Sequence, residues 1–187
     1  MDKKQLEAWR RLTSDRVYET RVFDVLRNRC RSPRTGQDHD FFVLETGDWV
    51  NIIPLTDEGQ VVLIRQYRHG IADFTLEVPG GMVDATDPSP LVAARREMVE
   101  ESGYDSEDVA ELGTIHPNPA LQPNRCHSFV ARGVRKLYTP TFDTTEETEV
   151  VLVPLADIPQ LIREGHITHA LVVVAFQWLW LREGVES

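Results

Sequence analysis

The sequence predicts an α+β or αβα layered domain, from strands mixed with hairpins and three helices. Stretches rich in β-formers recur along the chain, several of them joined by turn clusters. Helical patterning appears three times, once after the first group of strands and twice near the end. Of the 187 residues, 41% are apolar, enough to build one real core. Strands and helices mixed in this way suggest layers packed around that core.

The elements follow in order. "RVYETRVFDVLRNRCR" (16–31) is partly alternating and β-rich; the turn cluster "SPRTGQDHD" separates it from the strand "FFVLET". "WVNIIPL" and "QVVLIRQYR" flank "TDEG", a hairpin signal. "FTLEVPGGMVD" reads as short extended pieces broken by Pro79, Gly80 and Gly81. A helix is expected from Pro90 to Ser102, with Ser89 as N-cap, Pro90 in the first helical position and Gly103 just past the end. Three more strands are expected at "DVAELGTIH", "RCHSFVARGV" and "EVVLVPL". Helices close the chain near "LADIPQLIREG" and "THALVVVAFQWLWL". We read 1–187 as a single domain, with an N-terminal β region over 1–48 and a catalytic core over 49–187.

Charge and composition exclude several functions. The formal net charge of −10 argues against nucleic acid as a partner. "ALVVVAFQWLWL", from Ala170 to Leu181, is too short to cross a bilayer about 30 Å thick and reads as a buried helix, so no membrane association is expected. Cys30 and Cys126 form no CxxC and no framework of pairs, which suits a reducing compartment. "MDKKQLEAWRRL" has no apolar signal region, so the expected location is cytoplasmic. His166 and His169 have no third nitrogen or sulfur ligand nearby and read as structural, and His116 and His127 show no evident partner.

The unusual stretch is "RREMVEESGY", Arg95 to Tyr104. At about 100° per residue, Glu97, Glu100 and Glu101 share one arc of a helix, beside an apolar stripe of Leu91, Ala94 and Met98. Glu97 and Glu101 are an i,i+4 like-charge pair, which weakens an isolated helix by ~0.2–0.5 kcal/mol. A Pro-Gly-Gly loop precedes the helix, and "TTEETEV" downstream offers more carboxylates. Oxygen ligands gathered from several places suit a hard divalent cation such as Mg²⁺, which is usually shared with substrate phosphates.

"GGMVDATDPSPLVAARREMVEESGY" resembles the signature box of the Nudix hydrolases, G-x5-E-x7-R-E-U-x-E-E-x-G-U with U a bulky apolar residue. Gly81, Arg96, Glu97, Met98, Glu100, Glu101 and Gly103 match. The first glutamate of the box does not: counted from Gly81 it falls on Asp87, counted back from Arg96 on Pro88. The chain therefore carries Asp for Glu and one extra loop residue. "LIRQYRHG" followed by "TLEVPGG" is similar to the branch that cleaves ADP-ribose and other nucleoside-diphosphate sugars.

The resemblance implies a Nudix-type fold and Mg²⁺ (or Mn²⁺) dependent cleavage of a nucleotide sugar at its pyrophosphate. Glu97, Glu100, Glu101 and the main-chain carbonyl of Gly80 are the implied metal ligands, and Arg96 orients a glutamate. The general base is expected on the late loop, at Glu147, then Glu146, then Glu149, with Glu100 as the alternative within the box. Arg68 is expected on substrate phosphate, Glu77 on metal or sugar, and Trp49 on the nucleobase or in a core or dimer contact. The N-terminal strands imply a homodimer. Two other readings are a nucleoside-triphosphate or dinucleotide-polyphosphate hydrolase on the same scaffold, and a non-catalytic nucleotide-sugar-binding regulator.

Overall fold

The computed structural model describes residues 6–141 and 147–184. The chain divides into two compact units, one formed by residues up to Gly47 together with His116–Asn124, the other by Asp48–Ile115 and the residues from Arg125 onward.

The first unit is a three-stranded antiparallel sheet of β1 (Arg10–Glu19), β2 (Asp24–Arg31) and β3 (Asp38–Glu45), with β2 in the middle. The stretch from Arg16 to Arg31 had read as one β segment; it is broken between Glu19 and Asp24. No glycine or proline marks that turn. The Thr20 hydroxyl accepts hydrogen bonds from the backbone N–H groups of Val22 and Phe23, so one side chain bends the chain. Arg27, Arg29 and Arg31 pair with Asp15, Asp38 and Asp40 across the strands. Trp9 stacks edge-on against His39 and Phe41 and remains half exposed.

The second unit is an αβα sandwich around a seven-stranded mixed sheet. Its strands are β4 (Trp49–Leu55), β5 (Gln60–Arg68), β6 (Asp73–Glu77), β7 (Gly80–Met82), β9 (Val109–Ile115), β10 (Cys126–Arg132) and β12 (Thr148–Pro154). The main path runs β12-β5-β4-β10-β9, with β6 on β5 and β7 on β4. β8 (Tyr104–Asp105) and β11 (Arg135–Lys136) form a separate two-residue ladder. β4 and β10 are parallel, and the other pairings are antiparallel.

The expected hairpin at "TDEG" forms, with Gly59 at φ 75°, but its strands soon part. β4 and β5 share a single pairing, Leu55 with Val61. Beyond it β5 pairs with β6 and β12, while β4 pairs with β7 and β10. Val78 and Pro79 carry the chain from one half to the other, where Pro79 O accepts from Ile52 N at 2.9 Å.

Period-2 alternation gives the sheet two apolar faces. Val50, Ile52, Val62, Phe129 and Ala131 pack under α1 (Pro90–Ser102) through Ala93, Ala94 and Met98. Ile53, Leu63, Val130 and Leu112 pack under α2 (Ile158–Arg163) and α3 (Ala170–Glu183). α1 has the expected caps: the Ser89 side chain accepts from Val92 N, and Gly103 sits at φ 75° with its N–H on Val99 O. Its buried stripe differs from the expectation. Leu91 is 38% exposed and Ala93 is buried instead, because the helix meets the sheet along its small residues. α3, expected as a buried helix, buries Val172, Ala175, Phe176 and Leu179 at helical spacing and leaves Leu181 in solvent. Among the described residues no helix is long and apolar enough to cross a membrane.

Candidate active site

The Pro-Gly-Gly loop meets the acidic helix at close range. Gly80 N donates to Glu101 Oε2 at 2.8 Å, and Glu101 is 6% exposed. A side chain at Gly80 would strike Val50 O and the Asn51 backbone; one at Gly81 would strike the Glu97 carboxylate. Gly80 is therefore demanded by backbone contact with β4, whereas a side chain at Gly81 would displace the Glu97 carboxylate. The loop thus holds one carboxylate and crowds another.

Arg96 organises the remaining acids. Its Nη1 lies 2.9 Å from both Glu97 Oε1 and Glu100 Oε2, and its Nη2 bonds Met82 O at 3.2 Å and Asp87 Oδ2 at 3.0 Å. The bond to Asp87 and the neighbouring glutamates drive this guanidinium further above its already high value. The Arg96 hydrogen bond in turn holds the Asp87 carboxyl below the ordinary carboxylate range. Asp87 therefore supplies the acidic partner of Arg96 in the loop that carries one extra residue. The shorter Asp side chain reaches because the loop closes on itself, with Asp84 N bonding Asp87 Oδ2 and Asp87 N bonding Asp84 O.

Glu97, Glu100 and Glu101 thus line one helix face with a glycine cradle beside them. Oxygen donors against a loop that admits no side chain fit a hard divalent cation. Among the described residues no group of three or more His, Cys, Asp or Glu side chains already converges as a metal cage. One nitrogen of Arg96 bridges Glu97 and Glu100, and the Gly80 N–H holds Glu101.

The NUDIX domain model matches residues 46–174. The chain belongs to the Nudix family. It is 26% identical over 176 residues to a methanol dehydrogenase activator of Bacillus methanolicus, covering 94% of each chain. It is 24% identical over 185 residues to an ADP-ribose pyrophosphatase of Bacillus subtilis (strain 168), covering 98% of each. A crystal structure titled as an ADP compounds hydrolase superposes with TM-score 0.86 at 25% identity, covering 98% of this chain and all of that one. The Nudix architecture expected from the box is thereby shown, and the chain is a Nudix hydrolase.

In this Nudix chain the other candidates fall as follows. Arg68 and Glu77 pair with each other: Nε and Nη2 donate to Oε1 and Oε2 at 2.8 and 2.7 Å. Glu77 is 2% exposed and also accepts from the Thr75 hydroxyl. Burial alone would raise its carboxyl, but the Arg68 and Thr75 bonds outweigh that and hold it below its ordinary value. Arg68 lies on the same strand face as Val62, hence on the α1 side, and its side chain is 41% exposed. Trp49 alternates with Val50, so it lies on the α3 side of β4, away from the acidic helix.

The late loop is tied to the acidic helix at both ends. Thr141 N donates to Glu100 O at 2.9 Å, and the Thr148 hydroxyl donates to Glu101 O at 2.7 Å. Glu147 precedes Thr148 and is exposed; Glu146 lies outside the described residues. Glu149 stands on the opposite strand face from Thr148 and pairs with Arg65 at 3.5 Å.

Sequence reasoning missed the partner of His116, whose Nδ1 lies 3.2 Å from Asn124 O, and the contacts of two further histidines. His127 had seemed to lack one, yet its Nε2 lies 3.2 Å from Asp48 Oδ2 and its Nδ1 lies 3.0 Å from Thr114 Oγ1. This chain of bonds ties β10 to β9 and to the start of β4. His169 lies beside Glu77, with Nδ1 3.5 Å from Oε2. Neither contact had a local signal, because each joins separate elements.

Proposed function

We propose that the chain hydrolyses the pyrophosphate bond of ADP-ribose or another nucleoside-diphosphate sugar, yielding a nucleoside monophosphate and a sugar phosphate. The observation that carries this is the glycine loop pressed against Glu97 and Glu101 on a helix whose third carboxylate, Glu100, shares Arg96. Similarity to an ADP-ribose pyrophosphatase and to an ADP compounds hydrolase supports a diphosphate substrate.

Glu97, Glu100, Glu101 and the Gly80 carbonyl are the residues to hold Mg²⁺ or Mn²⁺. Such an ion, when bound, offsets pyrophosphate charge and acidifies water. Arg68 binds phosphate, with Glu77 fixing its orientation. Glu147 takes a proton from the attacking water, whose oxygen bonds to one phosphorus as the bridging P–O bond to that phosphorus breaks, and the leaving phosphate carries away the bridging oxygen. The tethering of its loop to Glu100 and Glu101 favours Glu147 over Glu149, whose carboxylate is engaged by Arg65 on the other strand face.

The test is a panel of ADP-ribose, GDP-mannose, UDP-glucose and nucleoside triphosphates with Mg²⁺, products resolved by chromatography. Turnover of ADP-ribose to AMP supports the reading; turnover of triphosphates alone favours the triphosphatase, and no turnover the regulator. Glu147→Gln is expected to lower kcat strongly while leaving KM and Mg²⁺ affinity nearly unchanged. Glu146→Gln and Glu149→Gln measured beside it rank the three. Substantial activity in the triple mutant would move the base to Glu100.

The working form we propose is a homodimer in the cytoplasm. The N-terminal unit leaves Trp9, Tyr18, Phe41 and Phe42 between 44% and 64% exposed, an apolar surface suited to a partner copy. Both cysteines are unpaired, which fits a reducing compartment. Light scattering at micromolar concentration is expected to give twice the chain mass of 21.4 kDa, and a value near that single mass would count against the dimer.

A further inference from the structure

The pairing of Arg68 with Glu77 has a third member. His169 sits at the N-cap of α3 but makes no capping bond with its side chain. Its Nδ1 is buried and makes no hydrogen bond among the described residues, and the Glu77 carboxylate stands beside it with Oε2 at 3.5 Å. The contact is possible because β4 and β5 part after Leu55 and Val61, which lets the first turn of α3 approach the crossing at Val78 and Pro79. Asn51 on β4 holds that turn in place, donating from Nδ2 to Leu171 O at 3.1 Å.

We propose that His169 is a positioning residue for the substrate-binding arginine: it backs the Glu77 carboxylate so that Arg68 can turn hydrogen bonds toward the substrate's phosphates. This rests on the reading of Arg68 as the phosphate contact. The side-on pair engages Nε and Nη2 of Arg68 and fixes the plane in which the fork meets an incoming phosphate. As Arg68 leans toward that phosphate, the buried Glu77 loses donor strength. A buried carboxylate short of donors is costly. The Nδ1–H of His169 is the donor in reach to make up the loss. Burial pushes this imidazole below its ordinary value, against the opposing pull of Glu77, so near neutral pH the ring carries one proton to place.

The test compares ADP-ribose hydrolysis with Mg²⁺ in the full-length wild type, His169→Ala, His169→Asn, Arg68→Lys and the double mutant His169→Ala/Arg68→Lys, with Tm measured for each. His169→Ala is expected to raise KM about tenfold and change kcat by less than about threefold. His169→Asn keeps a donor at the Nδ1 position and is expected to bring KM back to within about twofold of wild type. The double mutant is expected to match Arg68→Lys alone in KM, because the two act as one unit. Should His169→Ala lose its fold, His169→Gln carries the test: it moves the donor to the Nε2 position and is expected to show the raised KM. With an active wild type, an unchanged KM in the variants, a loss confined to kcat, or multiplicative effects in the double mutant would overturn the role of His169 alone. A wild type inactive on ADP-ribose and on every other member of the panel would overturn the proposed function, and this inference with it.

Discussion

Glu101→Gln is expected to lower kcat at least ~100-fold, about 2.7 kcal/mol on the barrier, while the fold persists. The side chain is buried, and its Oε2 accepts the Gly80 N–H, a bond that the Gln carbonyl oxygen can keep. Shape and hydrogen bonding survive, and a unit of charge does not. A carboxylate replaced by an amide is a poor ligand for a hard cation, so the Mg²⁺ requirement should rise along with the loss in rate. The measurement is kcat against Mg²⁺ concentration, with Tm as the control for folding. A variant near the wild-type rate at saturating Mg²⁺ would remove Glu101 from the ligand set.

Gly81→Ala is expected to lower kcat by about 10–100-fold with little change in Tm. The new Cβ would meet the far end of the Glu97 side chain, which can swing aside at small structural cost. It would swing out of the place that Arg96 and the loop give it, and displacing a reacting group by about 1 Å can cost 10²-fold. Gly80→Ala is the contrasting case. Its Cβ would meet Val50 O and the Asn51 backbone, which cannot yield, so this variant is expected to lose stability as well as activity. Equal Tm losses in the two variants, or an unchanged rate in Gly81→Ala, would refute the distinction.

The acidic helix could be read from the sequence in nearly every respect. Ser89, Pro90 and Gly103 mark its ends by local backbone chemistry, and the spacing of Glu97, Glu100 and Glu101 puts them on one face whatever surrounds the helix. The recurrent β-rich stretches and three helical segments likewise pointed to a layered domain. The turn at Thr20 was not legible, because a lone hydroxyl that bends a chain resembles any other Thr in a β-rich stretch.

Departures from helical and strand patterning arose where distant elements meet. Ala93 rather than Leu91 faces the sheet, because the close approach of α1 to β4 selects small residues over apolar ones. The departure from the box at Asp87 could not be judged by counting along the chain; the folded loop brings that carboxylate to Arg96. Arg68, Glu77 and His169 come from two strands and a distant helix, and they meet because β4 and β5 separate after one pairing. Local propensity and periodicity act over a few residues, so the sequence by itself determined the helix, its caps and its carboxylate face. Which charge meets which across the domain depends on strand register, sheet divergence and close packing, and only the tertiary structure decided that.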